Sequence, residues 1–179
     1  MTALCFRDPA APGEELIEEE EPEAPAENDS QDEDDNRLYG ELMHAIMERV
    51  RVPSDLPRAV LRMRTRGFFD RKTARELHDI LSRGMESVKK YRWFEPDSRI
   101  INERGITGAM KVKRPDRIVM RADGSAAVVD YKFGTHRDDA RYSRQVKSYV
   151  RALKNAGAVK ECEAYIWYVS LGIVVEVSR

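Results

Sequence analysis

The stretch Arg114-Pro115-Asp116-Arg117-Ile118-Val119-Met120-Arg121-Ala122-Asp123-Gly124-Ser125-Ala126-Ala127-Val128-Val129-Asp130-Tyr131-Lys132 decides how the chain reads. Two runs rich in Ile and Val flank a polar break containing Gly124, the pattern of two strands joined by a short loop. If residues 122–124 form the loop, Gly124 takes the left-handed position of a bulge turn, where a residue without Cβ is favoured. Arg121 then pairs with Ser125. Counting outward along antiparallel strands sets Asp116 opposite Asp130, with Cβ atoms about 5 Å apart. Side chains alternate faces along a strand, so Lys132 shares the face of Asp130. A turn made of Asp123 and Gly124 alone would change the parity and send the carboxylates to opposite faces.

Two carboxylates that close on apolar strands repel each other and resist desolvation unless a positive charge stands between them. A divalent cation answers that need. Hard oxygen ligands suit Mg²⁺ or Mn²⁺, and Mg²⁺ also borrows ligands from substrate phosphate. A lysine beside such an ion can help activate the attacking water or stabilise developing negative charge. Asp116, Asp130 and Lys132 together therefore point to phosphodiester hydrolysis. An Asp-x-Lys triplet by itself is short and made of common residues; the pairing across the hairpin gives it meaning.

Outward from the hairpin, the apolar spacing predicts helices on the N-terminal side. The Asp34-Asp35-Asn36 cluster supplies capping oxygens and negative charge ahead of a helix carrying Leu38, Leu42, Ala45 and Ile46, and Pro53 ends it. A short helix over residues 56–66 follows. A third starts near Asp70 and reaches about Tyr91, with Ala74, Leu77, Ile80, Leu81, Met85 and Val88 in one stripe and Gly84 as its weak point. The period then changes, and residues 99–106, 115–121 and 126–133 read as strands. Asp138 and Asp139 open another helix whose stripe is Tyr142, Val146, Tyr149, Val150 and Leu153, closed by Gly157. Strands over 163–170 and 173–178 complete an α/β arrangement with one mixed sheet.

The chain has 179 residues, with 31 Lys+Arg against 32 Asp+Glu, but these charges are segregated. Residues 1–36 hold 14 acids and one base, Arg7, which leaves a surplus of 12 positive charges on residues 37–179. The first segment, made mainly of Glu, Asp, Pro, Ala and Ser, reads as a disordered acidic tail or linker, or as a strand mimicking nucleic acid that competes for the basic face. The second has the length of one domain. Its bases gather in three groups: Arg62, Arg64, Arg66, Arg71, Lys72 and Arg75; Lys111, Lys113, Arg114 and Arg117; and Arg137, Arg141, Arg144, Lys147, Arg151 and Lys154. Each group can be a solvated face, but together, around one site, they are what a phosphate backbone requires.

Several classes drop out. There is no run of 18 apolar residues and no basic segment leading into an apolar one at the N-terminus, so the expectation is a cytoplasmic protein without a membrane span. Cys5 and Cys162 are too few for a disulfide framework, a thiolate zinc site or an iron-sulfur cluster. No Gly-x-x-x-x-Gly-Lys-Ser/Thr motif occurs, which removes a P-loop motor.

Residues 37–178 resemble the RecB-like nuclease domain of the PD-(D/E)xK superfamily, the module at the C-terminus of RecB-type and AddA-type helicase-nucleases. The motifs that carry the resemblance occur in order: Gly40-x-x-x-His44 on the first helix, Asp116 after Arg114-Pro115, Asp130-Tyr131-Lys132 followed by Phe133-Gly134, and Gln145-x-x-x-Tyr149. The resemblance implies a restriction-endonuclease-like core, a central mixed β-sheet flanked by helices, with an N-terminal helical segment. It also implies that His44, Asp116, Asp130 and the backbone carbonyl of Tyr131 bind Mg²⁺ or Mn²⁺, and that Lys132 is the catalytic lysine. Gln145 and Tyr149 would support the site or touch DNA, with Arg114, Arg117 and Arg141 beside them. Glu103 is a looser match to a further acidic position. Read from the residues alone, His44 and Tyr149 would be packed side chains of amphipathic helices, and Trp93, Phe94 and Trp167 core or interface residues.

The activity so implied is that of a metal-dependent deoxyribonuclease, an exonuclease acting on single strands or duplex ends supplied by a helicase partner in DNA recombination and repair. The competing expectations are a catalytically silent module of the same fold that binds DNA or a helicase, and an RNA nuclease.

Overall fold

Three helices come first along the chain, α1 (Asn28–Met47), α2 (Leu56–Thr65) and α3 (Arg71–Ser87), in a computed structural model that describes residues 28–102, 106–107, 112–113 and 115–177. α1 starts within the acidic segment and not after Asp34-Asp35-Asn36 as the capping pattern predicts. α3 starts near Asp70 as expected, and the Asp70 carboxylate caps it, accepting a 2.8 Å hydrogen bond from the Thr73 N–H. This helix ends at Ser87, and a 3-10 turn, Lys89–Tyr91, covers the rest of the expected length. Gly84 is not a weak point but a close approach. A Cβ there would stand 3.1 Å from Trp167 Cζ2 and 3.2 Å from Val169 Cγ1.

The strands are β1 (Arg99–Asn102), β2 (Ile106–Thr107), β3 (Val112–Lys113), β4 (Arg117–Met120) and β5 (Ser125–Lys132), followed by α4 (Asp139–Asn155), β6 (Glu161–Tyr168) and β7 (Ile173–Glu176). Five of them form one sheet in the order β1-β4-β5-β6-β7. Only β5 and β6 run parallel, because α4 carries the chain across between them; the other neighbours are antiparallel. The single strand expected over 99–106 is divided: β1 stops at Asn102, and β2 pairs with β3 in a separate ribbon.

Alternation along the strands builds two cores. Val119, Val129, Trp93 and Trp167 pack with Met43, Ile46 and Leu81 on the side of α1, α2 and α3. Ile118, Val128, Ile166 and Tyr168 pack with Val146 and Leu153 of α4 on the other. Trp93, Phe94 and Trp167 are thus core residues, each large apolar side chain contributing roughly 1.5–3 kcal/mol by its burial. The sheet is a partition between two apolar layers, and the candidate site lies where β4 begins and β5 ends.

Candidate active site

The hairpin forms in the register counted from the sequence. Arg121 N–H donates to Ser125 O at 2.9 Å, Gly124 N–H donates to Arg121 O at 3.1 Å, and Gly124 has φ +84°. Arg117 pairs with Val129 and Met120 with Ala126, so the next step outward sets Asp116 opposite Asp130. Asp116 sits one residue before β4, and its Oδ2 accepts the Tyr131 N–H at 2.6 Å.

Asp130 is 1% exposed, and the Lys132 ammonium lies 2.7 Å from its Oδ2. The contact is an ion pair outside hydrogen-bond angles, so this buried oxygen has a charge beside it but no hydrogen-bond donor. Burial, and next the nearby Asp116 carboxylate, push the Asp130 carboxyl up to about 6, against the opposing charges of Lys132 and His44.

His44 reaches the same place from the other layer. It occupies the last turn of α1, and its Nδ1 stands 3.2 Å from Asp116 Oδ1. Phe133 meets its ring edge-on, 5.0 Å between centroids. From α4, Gln145 Nε2 donates to Tyr149 Oη at 2.6 Å, one helical turn apart. The Tyr149 hydroxyl titrates above its ordinary range, first because it is buried and further because Asp130 and Asp116 are near. Histidine from one layer, carboxylates and lysine from the sheet, and the Gln145-Tyr149 pair from the other layer are therefore brought together. Arg141, Arg144, Lys147, Arg151 and Lys154 are exposed along α4, and Arg62, Arg66, Arg71, Lys72 and Arg75 are exposed on and around α2 and α3.

Arg117 requires a correction. It is 0% exposed and cannot touch DNA. Its guanidinium donates to Val50 O at 2.8 Å, Arg51 O at 2.6 Å, Trp93 O at 3.0 Å and Asn102 Oδ1 at 3.3 Å, while its plane covers the Phe94 ring. Asn102 Nδ2 in turn donates to the carbonyls of Glu48 and Val50. Together they fasten the segment that follows α1 to β1 and to the start of β4, just after Asp116. Parity could have revealed this, since Arg117 shares the face of Val119, which packs toward the three N-terminal helices. Tyr142, placed with the core stripe by its spacing, also belongs to the site, with Lys132 Nζ 4.2 Å from its ring centroid. Glu103, Arg114 and Lys111 lie outside the described residues, and Lys113 is described only as part of β3.

The donors suit a hard divalent cation: two carboxylates, one with an undonated buried oxygen, and one imidazole. Among the described residues, no three His, Cys, Asp or Glu side chains already converge as a ready-made cage. The site is an open end of the sheet. A hollow lined by Pro53, Met85, Trp93 and Phe94 contains none of these residues.

A mixed sheet with helices on both faces, carrying paired acids and a lysine at one end, defines a restriction-endonuclease-like fold and a phosphodiesterase type of site. A comparison with protein families agrees: the description of the PD-(D/E)XK nuclease superfamily matches residues 17–177, and the chain belongs to that superfamily. Nucleases of this group generally use divalent metal ions, and their substrates are nucleic acids. No curated protein matches the chain. No helix among the described residues is long and apolar enough to cross a membrane.

Proposed function

We propose that the protein is a metal-dependent DNA exonuclease of the RecB-like and AddA-like type, acting on single strands or duplex ends as the nuclease module of a helicase-nuclease in recombination and repair. The observation that carries this reading is the pairing of Asp116 with Asp130 across the β4-β5 hairpin, beside Lys132, at a sheet end flanked by exposed bases. Asp116, Asp130, His44 and the Tyr131 carbonyl would hold Mg²⁺ or Mn²⁺. Such an ion, when bound, supplies a Lewis acid for a phosphate oxygen and a counter-charge for the carboxylates.

The residues of the chain do the rest. Lys132 stabilises negative charge developing on the scissile phosphate. Gln145 and Tyr149 support the carboxylates from α4, and Arg141 with the bases that follow it binds the phosphate backbone through sequence-independent contacts. The acidic residues ahead of α1, 1–27, serve as a linker to a motor.

The test is cleavage of end-labelled single-stranded DNA, double-stranded DNA and RNA with Mg²⁺, Mn²⁺ or EDTA, comparing wild type with Asp116→Ala and Lys132→Ala. Metal-dependent shortening of DNA from its ends, lost in both variants, is the expected result. Salt-sensitive DNA binding without cutting would replace the enzyme with a binding module, and cutting confined to RNA would change the substrate.

A further inference from the structure

Lys132 has two close partners at this site: Asp130 Oδ2 at 2.7 Å and the ring of Tyr142, whose centroid is 4.2 Å from Nζ. We infer that Tyr142 is a positioning residue for Lys132, holding the ammonium over its ring by cation–π attraction. The inference rests on the reading of Lys132 as the reacting lysine.

A lysine has a long flexible stem and a point charge, so its ammonium goes where attraction is strongest. Asp130 alone would hold it as an ion pair. When the charge of that carboxylate is shared with a cation, the pairing weakens, whereas the attraction to a neutral ring persists. Tyr142 thus provides a second hold that does not depend on the state of Asp130.

The ring is itself braced. Its centroid lies 6.2 Å from that of Tyr168, the residue paired with Lys132 across β5 and β6. The Tyr168 hydroxyl donates to Asp139 Oδ1 at 2.7 Å, and Arg137 forms an ion pair with the same carboxylate while its guanidinium stands 5.3 Å from the Tyr168 ring. The first turn of α4 is fixed to the end of the sheet through these contacts. Tyr142 also lies one turn before Gln145 and so shares the face of α4 that meets the site.

The experiment compares Tyr142→Phe and Tyr142→Leu with wild type and Lys132→Ala, measuring single-turnover cleavage of labelled single-stranded DNA in Mg²⁺ and DNA affinity in EDTA. Phe keeps the ring and is expected to cut within about twofold of wild type. Leu fills similar space without a ring and should cut about tenfold more slowly, the equivalent of a desolvated cation–π contact, at unchanged DNA affinity. Wild-type cutting by Tyr142→Leu, with Lys132→Ala inactive, overturns this inference and leaves the lysine's role standing. A loss shared by Phe and Leu, with weaker DNA binding, overturns it by making the hydroxyl a DNA contact. Wild-type cutting by Lys132→Ala overturns both.

Discussion

Arg117 and Asp130 are the buried charged side chains of the described residues, and they sit on neighbouring strands, Arg117 paired with the residue just before Asp130. Both are out of water, yet they are treated in opposite ways. The guanidinium has acceptors in Val50, Arg51, Trp93 and Asn102. The carboxylate has one ion-paired lysine, a second carboxylate nearby and an oxygen without a hydrogen-bond donor. Burial of a charge is costly, so a saturated one ties elements together and an under-satisfied one persists where something outside the fold completes it. The contrast sets a structural charge, Arg117, apart from one whose surroundings support the proposed role of Asp130.

Substitution can break this contrast, and the largest effect is expected at the carboxylate. Asp130→Asn should reduce metal-dependent cleavage by on the order of 10³-fold, as when a group that organises transition-state charge is lost. The variant should still fold, as checked by circular dichroism; cleavage close to wild type would remove Asp130 from the reaction. Arg117→Met should act in the reverse sense, leaving the Arg51 and Trp93 carbonyls without their donor, while Val50 keeps Asn102, and costing about 2–5 kcal/mol in urea unfolding. Equal urea midpoints would mean that water replaces the guanidinium and that the clamp is dispensable.

The smallest effect is on pH dependence. The folded Asp130 carboxyl is held up at about 6, above the value near 3.9 expected for an unfolded chain. The folded state therefore keeps this proton more tightly, and the penalty for ionising the buried group is absent below about pH 4, grows between about 4 and 6, and is full above that. Metal-free Asp130→Asn should consequently gain stability over wild type as pH rises through this window, by roughly 2 kcal/mol, with the two proteins converging in acid. Parallel stability curves from pH 4 to 7 would show that Asp130 is not strained in the folded protein.

Local rules made the hairpin legible. Period-2 alternation and the loop length around Gly124 determine which residues face each other, and the observed pairing has the same parity. The start of α3 near Asp70 and the α4 stripe were readable for the same reason. Long-range contacts were not. Arg117 reads as one base in a basic run until Val50, Arg51 and Trp93, distant in sequence, are seen to present carbonyls to it. Tyr142 reads as core until Lys132 is seen over its ring, and Gly84 reads as a weak helix position until Trp167 is found against it. In each case the deciding partner comes from another element, which periodicity does not encode.

The layered arrangement also orders the assembly of the site in time. Asp116, Asp130, Lys132, Tyr142 and Tyr149 come from one short stretch, a hairpin and the helix that follows it, whereas His44 must return from 72 positions before Asp116. Local closures are fast and distant ones slow, so the acids and the lysine should meet before the histidine arrives. A chain still folding would then carry an incomplete centre, and the last turn of α1 would act as the late-fitting part that separates a folded hairpin from a finished enzyme.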